Sequence, residues 1–191
     1  GFKMAGDDIL LDVIQDFILP SFEKALQTAG VRAPAALMSR LCGEESVSIQ
    51  DAILRQQLNL QVFTPLGLAL LKAYENYDPE VAQEVLTYRY EDLLANDSVK
   101  TPVWQYVNGA VRREVTGLGL FDILIVPIHF DLGQLHKSFL ENRINLTKIL
   151  AALCEVIFHY PCDVLLLTGR PSRLPGVQAF IRKMLPLPPG R

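Results

Sequence analysis

A turn at residues 169–173, with the sequence GRPSR, combines residue types that can bind a phosphate or a nucleotide base. Gly169 allows a ligand to approach the backbone closely, and a helix that begins at Ser172 would direct its free amides and positive dipole towards an anion. Arg170 and Arg173 are planar cations that can stack on a base or pair with a phosphate. The same residues also suit a plain connector between a strand and a helix, with solvated or salt-bridged arginines. The turn alone leaves both interpretations open.

The acidic pair Asp7 and Asp8 directly follows Gly6 near the start of the sequence. A carboxylate beside a glycine at the start of a helix can approach a metal-bound phosphate. It can equally cap the free amides of that helix and complement the helix dipole. Helix capping alone is sufficient to explain Asp7 and Asp8. Asp7 is also a candidate ligand-binding residue.

Other chemistries lack the residue spacing that they require. The sequence contains neither a GxxxxGK[ST] phosphate loop nor a GxGxxG dinucleotide fingerprint. The three histidines and three cysteines do not show the paired spacing of a zinc site. Cys162 and His159 have no evident orienting partner for nucleophilic catalysis. We therefore predict no catalytic residue and no metal ligand, and we expect reduced, mostly buried thiols.

Composition and charge restrict the classes of partner. Half of the 191 residues are hydrophobic and a fifth are charged, which is typical of a folded globular protein. The net charge of -3 gives no electrostatic reason to expect binding to nucleic acid or to an anionic membrane. No apolar stretch is long enough for a membrane-spanning helix, and no signal peptide is recognisable. These features predict a cytoplasmic protein. Because the sequence starts at Gly and stops in a proline-rich connector, we expect it to be a piece of a longer protein.

The predicted elements around the candidate residues follow an α/β order. A helix is predicted from Asp8 to a stop at Gly30, with a kink at Pro20, and helices fill most of the middle, including residues 78–95. The β-branched and aromatic run 120–130 predicts a strand, and two helices follow it, the second capped by Asn145.

The end of the sequence predicts a second strand and a last helix. The continuous apolar run 163–168 is typical of a strand that is buried on both faces. Ser172 is predicted to start the helix that follows. Strand, helix, strand and helix are the order of a layered α/β fold.

Two separated segments together resemble one family of proteins. The stretch SRLPGVQ, after an apolar run and Gly169, resembles the adenosine motif of the actin-like ATPases, especially the seventy-kilodalton heat-shock chaperones. The stretch AGDDILLDVI resembles the helix that leaves the second phosphate loop in the same family. The longer stretch CDVLLLTGRPSRLPGVQ, followed by PLPP, is closer still to the SrfB family of bacterial virulence factors, for which an actin-like core is inferred.

The resemblance implies a fold and a division of the chain. It implies a helix-rich α/β protein that forms part of the second lobe of an actin-like, ribonuclease-H-like ATPase. Residues 1–30 and 131–191 would form the α/β base of that lobe, and residues 31–130 a mainly helical insertion. A bacterial cytoplasmic location is expected, with secretion left open.

The resemblance also implies a binding site for ATP with Mg2+ between two lobes. The residues that it places on one wall of this site are Gly6, Asp7, Gly169, Arg170, Ser172 and Arg173. Two positions depart from the chaperone pattern. Arg170 stands in place of a glycine, and Pro171 stands in place of the serine that forms a hydrogen bond with adenine in the chaperones. The hairpins of the DxGT and DxGGGT kind, which hold the phosphates, do not occur in the 191 residues. The piece alone is therefore not expected to hydrolyse ATP. The alternative is a non-catalytic module that presents its helical insertion to a protein partner.

Overall fold

A computed structural model describes residues 6–43, 48–81, 85–93, 99–115, 121–141, 143–160 and 164–185. The first helices in these residues are α1 (Gly6–Val13), α2 (Leu19–Thr28), α3 (Pro34–Cys42), α4 (Ile49–Leu58) and α5 (Thr64–Tyr74). They are followed by α6 (Tyr90–Leu93), α7 (Thr101–Glu114), α8 (Leu132–Leu140), α9 (Asn145–His159) and α10 (Pro175–Met184). Strands β1 (Val85–Arg89) and β2 (Pro127–Asp131) pair in a two-stranded sheet. The chain is thus helix-rich with a small sheet, which agrees with the predicted α/β class at this coarse level.

The chain divides into two compact units, which we describe separately. The first unit comprises Gly1–Asp12, Leu70–Val85 and Asp131–Arg191, and the second comprises Val13–Ala69 and Leu86–Phe130. Residues 13–30 therefore belong to the second unit, and residues 70–85 to the first. The predicted assignment of residues 1–30 and 131–191 to an α/β base, and of 31–130 to an insertion, stays a prediction.

The core of the second unit is built on aromatic contacts. The ring of Phe22 in α2 meets those of Phe63 and Tyr90 edge to face, with centroids 5.5 and 6.5 Å apart. The Asp122 carboxylate holds the loop before β2, since it accepts hydrogen bonds from Trp104 Nε1 at 2.9 Å and from the Leu124 amide at 3.0 Å. The ring contacts bury apolar surface, and the hydrogen bonds to Asp122 join α7 to the loop before β2.

The core of the first unit lies among α8, α9 and α10. Its buried apolar residues include Leu135, Phe139, Leu150, Val177 and Ile181. The start of α9 is fixed by a distant residue, because the buried carboxylate of Asp12 accepts hydrogen bonds from the Asn145 amide at 2.8 Å and from Asn145 Nδ2 at 2.7 Å. Asn145 was predicted to cap this helix, but it is the first helical residue and receives its cap from Asp12.

Several helix boundaries follow the sequence signals. Gly30 stops α2 with a φ of 91°, a left-handed conformation that glycine adopts without strain. A π-helical turn over Ile14–Ile18 directly precedes α2, and Pro20 lies in the first turn of α2; the kink predicted at Pro20 stays a prediction. The Ser48 side chain accepts a hydrogen bond from the Asp51 amide and so caps α4.

The predicted strand at residues 163–168 is wrong in the part that the structure describes. Residues 164–168 form no strand there, and Val164 and Leu166 are 73% and 81% exposed rather than buried. The apolar run gives a tendency to extend, but a strand also needs a neighbour, and the two described strands pair with each other. Asp163 lies outside the described residues.

Three other local predictions need correction. The helix predicted for 78–95 is wrong at Val85–Arg89, which forms β1, because pairing with β2 outweighs the weak helical pattern. The strand predicted for 120–130 forms only from Pro127 onwards, as β2. The residues before it make a tight turn, in which the Asp122 carbonyl accepts hydrogen bonds from the amides of Ile125 and Val126. Ser172 does not start the last helix, which begins at Pro175 after a short 3-10 turn.

Candidate ligand-binding pocket beside residues 169–173

The turn at residues 169–173 has a fixed local geometry. Gly169 has a φ of 89°, a left-handed conformation that strains any residue with a side chain. The Ser172 hydroxyl and amide both donate to the Gly169 carbonyl, at 2.6 and 3.2 Å. Residues Arg170–Arg173 form one 3-10 turn, and Pro175 then starts α10. Glycine, serine and proline together determine the path of this turn.

A polar pocket lies against the turn. Its volume is about 550 Å³, and the residues that line it are Glu75, Leu167, Thr168, Gly169, Arg170, Ser172 and Arg173. Small-molecule sites have volumes of roughly 300–1,000 Å³, so this pocket is large enough for a nucleotide-sized ligand. The structure therefore brings four of the six predicted site residues together.

The other two predicted residues, Gly6 and Asp7, lie in the first turn of α1. Neither is found among the described residues that line the pocket. Asp7 is exposed, and its carboxylate complements the dipole at this end of the helix. Its place in a ligand site stays a prediction.

The two arginines of the pocket differ in their environment. Arg170 Nε lies 3.4 Å from Glu75 Oε1, and the Glu75 side chain is only 20% exposed. Arg173 is exposed, and its side chain makes no ion pair or hydrogen bond within the described part of the chain. The two arginines thus differ, because Arg170 has a counter-charge and Arg173 has none among the described residues.

Glu75 is a pocket residue that sequence reasoning missed. It directly follows α5 and pairs with a residue 95 positions away. No local motif marks it, because a glutamate after a helix is common and its role here depends on tertiary packing. The pocket therefore contains two cations and one carboxylate among its described residues.

A buried polar network adjoins this pocket and fixes the start of α10. The Tyr74 hydroxyl oxygen lies 2.8 Å from His136 Nδ1 and close to the Gly176 backbone at the start of α10. Burial strongly raises the pKa of Tyr74 and lowers the pKa of His136, so both groups are neutral near pH 7. The residues Tyr74 and Glu75 thus hold the start of α10 and the turn before it.

Gly176 is required at its position by packing rather than by its φ. A Cβ atom there would lie 2.5 Å from side-chain carbons of Phe139 and 2.6 Å from the Tyr74 hydroxyl. These distances are shorter than any normal contact. The glycine therefore lets the start of α10 lie close to Tyr74 and Phe139.

The cysteines and histidines show no sign of a reactive site in the described residues. Burial raises the pKa of the Cys42 thiol to about 11 and also raises that of Cys154, which makes both thiols poor nucleophiles. Cys162 lies outside the described residues. Within the described part of the chain, no three side chains of metal-ligand type are grouped, and no helix is long and apolar enough to cross a membrane.

The fold and the pocket define a helix-rich α/β protein with a polar, arginine-containing pocket at a turn before a helix. A family model described as "Virulence factor SrfB" matches residues 1–191, so the chain belongs to the SrfB family. This finding confirms the closer of the two resemblances seen in the sequence. Neither a curated protein nor a solved structure matches the chain. The actin-like lobe therefore stays a prediction.

Proposed function

We propose that this SrfB-family virulence factor contributes one wall of a nucleotide-binding cleft, with ATP as the ligand, at the pocket beside residues 169–173. The observation that carries the proposal is the position of Arg173. Its guanidinium is exposed at a pocket of about 550 Å³, beside a left-handed glycine, and has no side-chain ion pair among the described residues. A planar cation in such a place can stack on a base or pair with a phosphate.

The charges of the pocket favour an anionic ligand. Arg170 and Arg173 carry two positive charges, and Glu75 carries one negative charge. Because Glu75 pairs with Arg170, no carboxylate among the described pocket residues is left to pair with Arg173, whose charge would attract a phosphate. Arg170 would join the ligand only if it left Glu75.

Ser172 would present its oxygen to the ligand as an acceptor. Its hydroxyl hydrogen is used in the bond to the Gly169 carbonyl, so only oxygen lone pairs remain free. An exocyclic amino group, such as that of adenine, could donate to this oxygen. Gly169 would allow the ligand to lie close to the backbone.

In the proposed site, Gly6 and Asp7 would lie at the phosphate end, as the resemblance to the actin-like ATPases implies. The described residues contain no cluster of three acidic or other metal-ligand side chains. As the resemblance implies, Mg2+ would be held mainly by the phosphates and by residues outside this chain. We propose binding for these residues, coupled to closure of two lobes, and not hydrolysis by the chain alone.

Calorimetric titration of the complete protein with ATP and Mg2+ tests the proposal, because this chain would supply only one wall of the cleft. We expect Arg173→Ala to weaken binding about tenfold, which corresponds to about 1.4 kcal/mol. The matched control is Arg182→Ala, since Arg182 is an exposed arginine of α10 that does not line the pocket. Equal affinities for the wild type and Arg173→Ala, or no binding of ATP at all, would contradict the proposal.

A second candidate function is a protein-interaction module in the second unit. The specific observation is an exposed apolar row on and just after α4, formed by Ile49, Ile53 and Leu60, with Ile49 83% exposed. These residues follow helical spacing of four and seven, as in a helix that docks on a protein. A photo-crosslinking residue at Ile53 should then give adducts in bacteria, whereas one at Leu11, which is similarly exposed, should not.

A further inference from the structure

A cluster of buried rings lies beside the start of α10 in the first unit. Tyr74 is fully buried, and its ring stacks on those of Phe139 and Tyr77, with centroids 5.5 and 5.7 Å away. His136 is nearly buried, and its ring centroid lies 5.7 Å from that of Tyr77. The Tyr74 hydroxyl oxygen reaches His136 Nδ1 at 2.8 Å. This hydrogen bond is thus enclosed by aromatic rings.

The helix α10 packs directly on this cluster. A Cβ atom at Gly176 would overlap the side chains of both Phe139 and Tyr74, so the helix start and the two rings are in close contact. Protein interiors are close-packed, and such a contact leaves no gap into which a rearranged hydroxyl or ring can move. A rearrangement in the cluster therefore displaces the start of α10.

Two contacts join the cluster to the polar pocket. Gln178 Nε2 donates a hydrogen bond to the Ser172 carbonyl at 3.0 Å, which ties the first turn of α10 to the turn at residues 169–173. Glu75 directly follows Tyr74, and its carboxylate pairs with Arg170. Ser172, Glu75 and Arg170 all line the pocket. A movement of Tyr74 or of the helix start is therefore passed on to the pocket lining.

The groups around His136 do not stabilise a proton on its ring. The titratable groups that face the ring are the phenols of Tyr74 and Tyr77. The charged residues of α8, of α10 and of the last turns of α5 and the residues after it include five exposed ones, which are Lys72, Asp78, Lys137, Arg182 and Lys183. Three less exposed carboxylates are bonded to other residues, and they are Asp12, Glu75 and Asp131. Among the described residues, no carboxylate forms an ion pair with His136, and burial lowers its pKa.

Protonation of His136 is incompatible with the present hydrogen bond. A neutral ring with its hydrogen on Nε2 can accept the Tyr74 hydroxyl hydrogen at Nδ1. An imidazolium donates from both ring nitrogens, so the Tyr74 hydrogen would need another acceptor inside the cluster. A buried charge without a counter-charge is unfavourable as well. The ring therefore takes up a proton more easily when the start of α10 moves away and water reaches it.

We propose that His136 is a pH-sensitive switch for the polar pocket, whose protonation releases the start of α10 together with the turn at residues 169–173. The released state binds the proton more tightly than the packed state, so acid shifts the population towards it. The pocket lining belongs to the packed state, and an anion in the pocket and a proton on His136 therefore oppose each other. That this anion is ATP rests on the proposed function, whereas the release of α10 does not.

Hydrogen exchange of the complete protein without ligand tests the release. After correction for the intrinsic effect of pH on exchange, the amides of residues 176–181 should lose protection several-fold between about pH 7.5 and 5.5, whereas those of α7 in the second unit should not. Release restores the ordinary histidine pKa of 6.5, which is above that of the packed state, so each pH unit below about 6.5 favours release by up to about tenfold.

Two histidine variants identify the responsible group. His136→Gln keeps an acceptor for the Tyr74 hydroxyl but cannot be protonated, and it should remove the pH dependence of exchange at residues 176–181. The matched control is His129→Gln, because His129 is an exposed histidine of the second unit, and this variant should keep the wild-type dependence. An NMR titration of the wild type gives the pKa of His136 without any variant, and we expect it below 6.5.

ATP affinity gives a second measurement, which rests on the proposed function. Calorimetry of the complete protein should show that the affinity decreases several-fold more between about pH 7.5 and 5.5 in the wild type than in His136→Gln. Both proteins experience the same change in the charge of ATP itself, so the comparison isolates His136. The pKa of His136 should also decrease when ATP is added, because binding and protonation oppose each other.

Three results would overturn the switch. The first is equal protection of residues 176–181 at the two pH values, and the second is the same loss of protection in His136→Gln. The third is a pKa of 6.5 or higher for His136 in the folded wild type, a result that does not depend on how well a variant folds. A pH-dependent release without ATP binding at either pH would contradict the proposed function and leave the switch supported.

Discussion

The hydroxyl oxygen of Tyr74 lies 2.8 Å from Nδ1 of His136 inside the first unit. The Gly176 backbone at the start of α10 also lies close to this oxygen. Burial lowers the pKa of His136, which favours the neutral imidazole, and a neutral ring with its hydrogen on Nε2 can accept the Tyr74 hydroxyl hydrogen at Nδ1. The start of α10, and with it the turn that forms the pocket, depends on this neutral pair.

The network predicts a loss of stability in mild acid. Burial lowers the pKa of His136 in the folded state below its ordinary value of 6.5. The unfolded chain therefore takes up a proton at a higher pH than the folded chain. Through this residue, the free energy of unfolding should be greatest above about pH 6.5 and should decrease as the pH falls towards the folded pKa.

Urea unfolding at several pH values between about 5 and 8 measures this dependence. His136→Gln should make the free energy of unfolding less sensitive to pH over this range. His129→Gln is the control, because His129 is exposed, and it should keep the wild-type dependence. An unchanged pH dependence in His136→Gln would show that another group is responsible.

The interaction between Asp12 and Asn145 predicts a large effect for a distant substitution. Asp12→Ala removes the acceptor for the first amide of α9 and leaves that amide without its cap. We expect a loss of about 1–3 kcal/mol in the free energy of unfolding, as for a buried cap. Urea titration measures it, with Asp16→Ala as the exposed control, for which a change within about 0.5 kcal/mol is expected. A similar small change in Asp12→Ala would mean that water caps α9 equally well.

Two glycine substitutions should have opposite effects on stability. Gly176→Ala forces a methyl group against Phe139 and Tyr74 and should destabilise the protein by about 1–3 kcal/mol or more. Gly109→Ala lies inside α7, where an added Cβ meets no atom within 4 Å, and should stabilise by about 0.5–1 kcal/mol. Thermal unfolding of both variants checks the signs. Equal effects at the two positions would argue against close packing at Gly176.

Because Glu75 pairs with Arg170, we predict that removing the Glu75 charge raises the affinity for ATP. Glu75→Gln removes a carboxylate from the pocket and releases Arg170, so ATP should bind several-fold more tightly, by about 1 kcal/mol. Calorimetry compares this variant with Glu80→Gln, an exposed glutamate of the same unit that does not line the pocket. Weaker binding by Glu75→Gln would instead indicate that the ion pair positions Arg170 for the ligand.

Much of the local structure could be predicted from the sequence, because its signals act over a few residues. Gly30 ends a helix through its own φ, and Ser48 caps α4 through an amide three residues away. The wrong predictions share a different cause. Residues 85–89 became a strand and 164–168 did not, since both outcomes depend on whether a distant segment supplies a partner.

The candidate site divides in the same way. The glycine, serine and arginines of 169–173 were recognisable because they are consecutive, and the match to the SrfB family rests on the whole sequence. Glu75 was not recognisable, because nothing near it in the sequence indicates an ion pair with Arg170. The sequence also could not distinguish Arg170, which pairs with Glu75, from Arg173, which has no ion pair among the described residues.

By itself, the sequence determined the family, most of the helices and the chemical character of the turn. Only the tertiary structure decided that Asp12 caps α9, that Tyr74 and Glu75 hold the turn and α10, and that residues 164–168 are exposed. Backbone propensities and caps are set by neighbours along the chain, whereas these contacts join residues about a hundred positions apart. Such contacts depend on how helices pack, and packing depends on the burial of the whole core.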